Sequence, residues 1–418
     1  MIRVENLVKV FGEEPERALA LMEQGRTKAE IREETGLTVG VNDVSFHVDR
    51  GEIFVIMGLS GSGKSTLLRC VNRLIEPLSG SVFLQTDEGE VDVTELDDER
   101  LRAVRRDSLS MVFQRFGLLP HRTVLDNVAF GQEIRRTNRR ERRRLAEEML
   151  GAVGLAGWER EIPAQLSGGM QQRVGLARAL ATQANVLLMD EPFSALDPLI
   201  KVNMQDELLR IQSELHRTIL FITHDLDEAL RLGNRIAIMD DGQIVQSGTP
   251  EEIIVNPKTE YVADFVEHAD PTGVMTAKTV ALPVQTRRFD AEDLGGGRQR
   301  YVRRGTEHLA YVLEDERFEA LERDGQRVPT RPLAEALEDE APTGSRDDAV
   351  LVAGPDATLK EVLQGRIHSH LPQVVVDGGG RLLGVISERE LIHGILYKTA
   401  NPDVEAAVAS QAAQEATA

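Results

Sequence analysis

Glu52-Ile53-Phe54-Val55-Ile56-Met57 runs without a break into Gly58-Leu59-Ser60-Gly61-Ser62-Gly63-Lys64-Ser65-Thr66. A short, almost wholly apolar run reads as a strand covered on both faces, the kind that builds parallel sheets. The nine residues after it fit G-x-x-x-x-G-K-[ST]. Glycines there let successive backbone N–H groups turn inward around phosphate oxygens. The helix that begins near Lys64 adds the positive end of its dipole. Lys64 is placed to pair with β- and γ-phosphates, and Ser65 to ligate Mg²⁺. Strand, loop and helix in this order demand an α/β fold with a nucleoside triphosphate beyond the carboxyl end of its sheet.

Two more apolar runs, Val186–Met189 and Thr218–Ile222, also end in polar residues: Asp190-Glu191 and Thr223-His224-Asp225. In an open α/β sheet these clusters should converge with Gly58–Thr66 on one site. Asp190 stands where a strand-end acid would hold Mg²⁺, and Glu191 where a general base would polarise the attacking water.

Leu166-Ser167-Gly168-Gly169-Met170-Gln171-Gln172-Arg173 resembles the signature sequence of the ABC (ATP-binding cassette) ATPases. Gln114 in Met111-Val112-Phe113-Gln114 is similar to the Q-loop glutamine, Ser194-Ala195-Leu196-Asp197 to the D-loop, and His224 to the switch histidine. The resemblance implies a P-loop cassette of mixed sheet plus helical subdomain. It implies a head-to-tail dimer in which ATP lies between the P-loop of one copy and Ser167, Gly168, Gly169 and Gln171 of the other. By the same resemblance ATP is bound by Gly58, Ser60, Gly61, Ser62, Gly63, Lys64, Ser65, Thr66 and Asp197, and Phe11 stacks on adenine. Glu191, His224 and Gln114 would be catalytic, and Ser65, Gln114 and Asp190 would hold the metal.

The stretch Gln114–Val124, the segment inserted after Phe11-Gly12, and Ser194–Ile200 narrow the resemblance to ATP-binding subunits of glycine betaine/proline betaine importers. These are osmoprotectant uptake systems. That implies a separate transmembrane permease as partner, an extracytoplasmic solute-binding protein acting indirectly, and a place on the cytoplasmic face of the cell membrane. An importer for another small solute, an amino acid or a polyamine, is the alternative. A soluble ABC ATPase acting on nucleic acid is a second, but there is one P-loop, no sustained heptad pattern and a net charge of −20, which leaves no positive footprint for nucleic acid.

No run of about 18 apolar residues appears, so the chain is not expected to cross a bilayer itself. The cassette is expected over 1–268, with a two-helix insertion at 13–40. Within it Thr27-Lys28-Ala29-Glu30 has capping-box spacing and Gly36 is a helix stop. The arginine run between 135 and 144 reads as a solvated helix face. Val374–Asp377 followed by Gly384–Leu391 resembles the strand–strand–helix core of a CBS module, placed at 341–400. A degenerate partner is expected at 272–340 and a disordered tail at 401–418. Ser387 and Glu390 are open to two readings, contacts to a regulatory nucleotide or a helix capping box.

Overall fold

In the computed structural model, residues 1–113, 117–305, 308–339 and 349–399 are described. The chain forms two units, one of residues 1–250 and 258–262, the other of 251–257 and 263 onward. The division falls ahead of the boundary expected at 268.

The first unit is built on two sheets. One is antiparallel, in the order Thr38–Val48, Ile2–Phe11, Ser79–Thr86, Gly89–Asp92. The other has six strands: Gln243–Gly248, Arg235–Asp240, Ile53–Met57, Thr218–Thr223, Val186–Asp190 and Leu109–Val112. Five run parallel, and Gln243–Gly248 closes one edge as an antiparallel hairpin. The central strands are buried along their whole length, which is why their sequences lack alternation. Met57 pairs with Thr223 and Asp190 with Ile222, so the carboxyl ends of three strands stand level. A single core of Phe54, Ile56, Leu67, Leu188, Leu220 and Ile222 fills the space below them. Cys70 belongs to that core, and burial pushes its thiol up to about 12.

The insertion forms helices Glu16–Glu23 and Lys28–Thr35. Thr27 and Glu30 make the reciprocal capping box, and Gly36 ends the second helix at φ 74°. Ala18, Ile31 and Leu37 pack onto Val8, Val10 and Val39 of the antiparallel sheet. Burying Ile31 alone contributes about 1.5–3 kcal/mol. Helices Val124–Ile134, Arg139–Ala152 and Gly168–Ala181 form the helical layer. Arg143 and Arg144 lie exposed and pair along their own helix with Glu147, Glu141 and Glu148.

The second unit also has two sheets. Thr330–Pro332, Val350–Ala353 and Gln373–Val376 run parallel, and Leu382–Ile386 returns antiparallel before helix Glu388–Tyr397. This is the strand–strand–helix layout expected of the CBS module. The span 272–340 follows a different course from that layout: Phe289–Gly295, Arg298–Arg303, Leu309–Glu314, Arg317–Arg323 and Gln326–Val328 form an antiparallel meander. The turns explain it. Gly296-Gly297, Asp315-Glu316 and Asp324-Gly325 all have positive φ at both positions, the geometry that joins adjacent twisted strands. The meander arginines are not a free basic patch. Arg298 pairs with Glu319, Arg300 with Glu292 and Glu322, Arg303 with Glu390, and Arg304 with Asp290. The tail from residue 401 lies outside the described residues.

Candidate nucleotide site

Strand Ile53–Met57 delivers the chain into the Gly58–Thr66 loop, and helix Lys64–Val71 carries it away. At Gly63, φ is +105° and a Cβ would stand 2.2 Å from the carbonyl oxygen of Gly40, so no side chain is possible there. The loop is fastened from outside, with Gly242 N–H donating to Ser62 O at 3.0 Å and Leu59 N–H to Tyr261 Oη at 3.4 Å. Lys64 is buried, and its Nζ donates to Gly58 O at 2.8 Å and Leu59 O at 2.9 Å. Burial pushes this ammonium's pKa down, while Glu191 and Asp190 oppose the shift. The lysine thus stands folded on its own loop.

Asp190 is wholly buried. Ser65 Oγ donates to its Oδ1 at 2.7 Å, and Arg69 approaches its Oδ2 at 3.3 Å. Ser65 and Arg69 are four residues apart on one helix face, so one helix satisfies both carboxylate oxygens. A hydroxyl and a carboxylate at this spacing make an oxygen-only donor pair, the kind that suits a hard cation such as Mg²⁺. Among the described residues no group of three or more His, Cys, Asp or Glu could hold a metal alone. Nucleotide oxygens and water would complete any Mg²⁺ shell here.

Glu191 occupies left-handed backbone, φ +50°, and its N–H donates to Ile222 O at 3.0 Å. That conformation turns its side chain to the cleft, where its Oε1 lies 3.1 Å from Nδ1 of His224. Gln172, buried in the signature helix, donates from Nε2 to Glu191 O at 3.3 Å and accepts from Ala195 N–H at 3.2 Å.

Of these groups Lys64, Ser65 and Glu191 border a cleft of about 520 Å³, with Asp190 and His224 beside it and outside its lining. Its walls are Phe11, Thr38, Val39, Gly40, Ser60, Gly61, Gly63, Lys64, Ser65, Thr66, Glu191 and Asp241, joined by Lys28, Ala29 and Arg32 of the insertion. Gly40 makes room for the Phe11 ring, since a Cβ would meet it at 2.8 Å. The remaining expected residues stand elsewhere. Ser167 caps the signature helix, its Oγ accepting from Met170 N–H at 3.3 Å, with Gly168 exposed and Gly169 half-buried on the first turn. Gln171 turns back to donate to Pro163 O at 3.0 Å and Leu166 O at 3.2 Å. Asp197 caps the following helix by accepting from Ile200 N–H at 3.1 Å. Gln114 lies outside the described residues.

In the CBS module, Ser387 and Glu390 form the capping box. Arg303 reaches in from the meander to donate to Ser387 Oγ at 3.0 Å and to pair with Glu390 Oε1 at 2.8 Å. The polar groups considered for a regulatory nucleotide are therefore engaged with one another and with Arg303.

Sequence reasoning missed Arg69, Gln172, Lys28, Arg32 and Arg303. Only Arg69 left a local signal, its four-residue spacing from Ser65.

Comparison with known proteins places this geometry. The family model described as ABC transporter matches residues 41–194, and the CBS domain model matches 347–397. The chain is 45% identical over 390 residues to a glycine betaine/carnitine transport ATP-binding protein of Listeria monocytogenes, covering 92% of this chain and 95% of that one. It is 44% identical over 402 residues to the glycine betaine/proline betaine transport system ATP-binding protein of Escherichia coli, covering 94% and 97%. The dimeric cassette MJ0796, in a post-hydrolysis state with ADP and Pi, superposes with a TM-score of 0.51 at 32% identity, over 60% of this chain and 99% of that one. The chain belongs to the ATP-binding subunits of glycine betaine/proline betaine ABC importers, and is an ATP-hydrolysing osmoprotectant-transport subunit with a C-terminal CBS domain.

Proposed function

We propose that this chain drives uptake of a quaternary-amine osmoprotectant by closing two copies of itself, head to tail, around two ATP molecules. The observation that carries the reading is the convergence of Lys64, Asp190, Glu191 and His224 on the strand ends beside the Gly58–Thr66 loop. Lys64 exchanges its loop carbonyls for the β- and γ-phosphates. Glu191 takes the proton of the water that attacks the γ-phosphate, and His224, 3.1 Å away, orients the carboxylate. Ser65 and Asp190 would hold Mg²⁺, with Gln114, and the ion supplies charge neutralisation on the phosphates. Phe11 stacks on the base.

The dimer reading is supported by the position of Ser167, Gly168 and Gly169. They sit at a helix N-terminus, Ser167 and Gly168 exposed, and do not line the cleft of their own chain, so their phosphate-binding geometry serves a nucleotide held by another copy. The MJ0796 cassette is itself dimeric. A transmembrane permease is the partner that places the subunit at the cytoplasmic membrane face, with an extracytoplasmic binding protein acting indirectly. No helix among the described residues is long and apolar enough to cross a membrane.

Glu191→Gln tests the chemistry. The amide cannot accept the proton, so ATP binding persists while turnover falls about 10²–10⁴-fold. Turnover near wild type would remove Glu191 from the role of base.

A further inference from the structure

The cleft wall has a component that the nucleotide motifs do not account for. Helix Lys28–Thr35 of the insertion turns Lys28, Ala29 and Arg32 into the cleft. Positions 28 and 32 are one helical turn apart, so both cations project from one face. Lys28 is mostly covered, and its Nζ lies 3.5 Å from Asp241 Oδ1, so much of its charge is balanced. Arg32 is exposed and has neither an ion pair nor a side-chain hydrogen bond among the described residues.

The fold says which end of the cleft this cation serves. The helix ends at Thr35, the chain enters strand Thr38–Val48 at once after Gly36 and Leu37, and Thr38 pairs directly with Phe11. Phe11, Thr38, Val39 and Gly40 belong to the antiparallel sheet, and the insertion packs on it. Asp190 ends a strand of the other sheet and Glu191 follows it directly. Reaction chemistry thus occupies one wall, and the insertion shares the other with the candidate base-stacking ring.

We infer that the insertion helix is the base-side wall of the ATP site, with Arg32 as a nucleotide-binding residue that engages the α-phosphate and sugar half of the nucleotide. An unpaired guanidinium on the rim of a phosphate-binding cleft supplies planar donors and charge that an alkyl or neutral side chain cannot. The contact is made to a part of the substrate that does not change on hydrolysis. It therefore holds ATP and ADP equally and gives no preference to the γ-phosphate.

This inference rests on the nucleotide reading of the Gly58–Thr66 loop, and calorimetric titration of the full-length chain separates the two. ATP and ADP are titrated into wild type, Lys64→Ala, Arg32→Gln, Arg32→Lys and Arg17→Gln. Arg17 lies on the first insertion helix, exposed and away from the cleft. If wild type binds no nucleotide, or Lys64→Ala binds as wild type does, the loop reading fails first. If wild type binds and Lys64→Ala does not, the Arg32 variants decide. Arg32→Gln is expected to weaken ATP and ADP alike by about tenfold, with Arg32→Lys between it and wild type and Arg17→Gln unchanged. Wild-type affinity for both nucleotides in Arg32→Gln overturns the inference. A loss confined to ATP also overturns it, because the contact would then belong to the γ-phosphate. Equal losses in Arg17→Gln and Arg32→Gln would mean that the insertion acts only through its packing, and would overturn it too.

Discussion

Oε1 of Glu191 and Nδ1 of His224 lie 3.1 Å apart, across the gap between the ends of two adjacent parallel strands. The carboxylate side chain is 15% exposed and the imidazole 59%, so the histidine is the more solvent-facing of the two. An arrangement in which one group orients another has a kinetic signature of its own. His224→Ala should lower turnover about 10²-fold with nucleotide affinity retained, and Glu191→Gln with His224→Ala should be no slower than Glu191→Gln alone. Single-turnover phosphate release measures all three. Multiplicative losses in the double variant would show that the two residues act independently.

Ser167 should act on a nucleotide that its own chain does not hold. Ser167→Arg, which crowds the exposed helix N-terminus, is expected to bind ATP at its own P-loop with unchanged affinity while hydrolysing poorly. Mixed with Glu191→Gln chains, it should form dimers in which only one of the two sites is fully assembled. ATPase activity against mixing ratio reads this directly. Independence from protein concentration down to high dilution would point to a monomeric motor.

Glu390 gives the second unit an acid limit. Burial pushes its carboxyl up, but the hydrogen bonds and charge of Arg303 and Ser387 outweigh this and hold it below the usual carboxylate range. A carboxyl depressed in the folded state contributes its full stability above its unfolded value of about 4.3, and loses it as pH falls through the lower folded value. Denaturant titrations from pH 7 down to about pH 3 should show this loss in wild type and a shallower one in Glu390→Gln. At pH 7, Arg303→Ala should be the more damaging change, by about 3–5 kcal/mol, because it strands a buried carboxylate. A loss below about 1 kcal/mol would show that the pair is solvated in solution.

Much of the first unit is legible in the sequence because its strands are buried on both faces and end in polar residues. The level alignment of Met57, Asp190 and Thr223 follows from that pattern once the strands are parallel neighbours. The insertion is equally readable, since a capping box and a terminal glycine act within a few residues. Helical phase is harder. Of two adjacent glutamines, Gln171 donates back to the signature loop and Gln172 is buried, a difference of phase that the sequence does not announce. Pairings between distant segments leave no local trace. Arg303 and Glu390 are 87 residues apart, and neither motif nor period announces them. The meander was hidden for another reason: its strands are short and its turns are glycine and acid, which in sequence reads as a change of composition.

Gln172 is a yoke between two segments of the chain. Its amide holds the peptide of Glu191 with one hand and that of Ala195 with the other, at 3.3 and 3.2 Å. Its backbone belongs to the helix whose first turn carries Ser167. A helix that shifts by about an ångström must either break these bonds or drag the Glu191 segment along. Ser167 and Glu191 are thus tied through one buried side chain. The link between signature helix and strand end is made by a side chain that does not line the cleft.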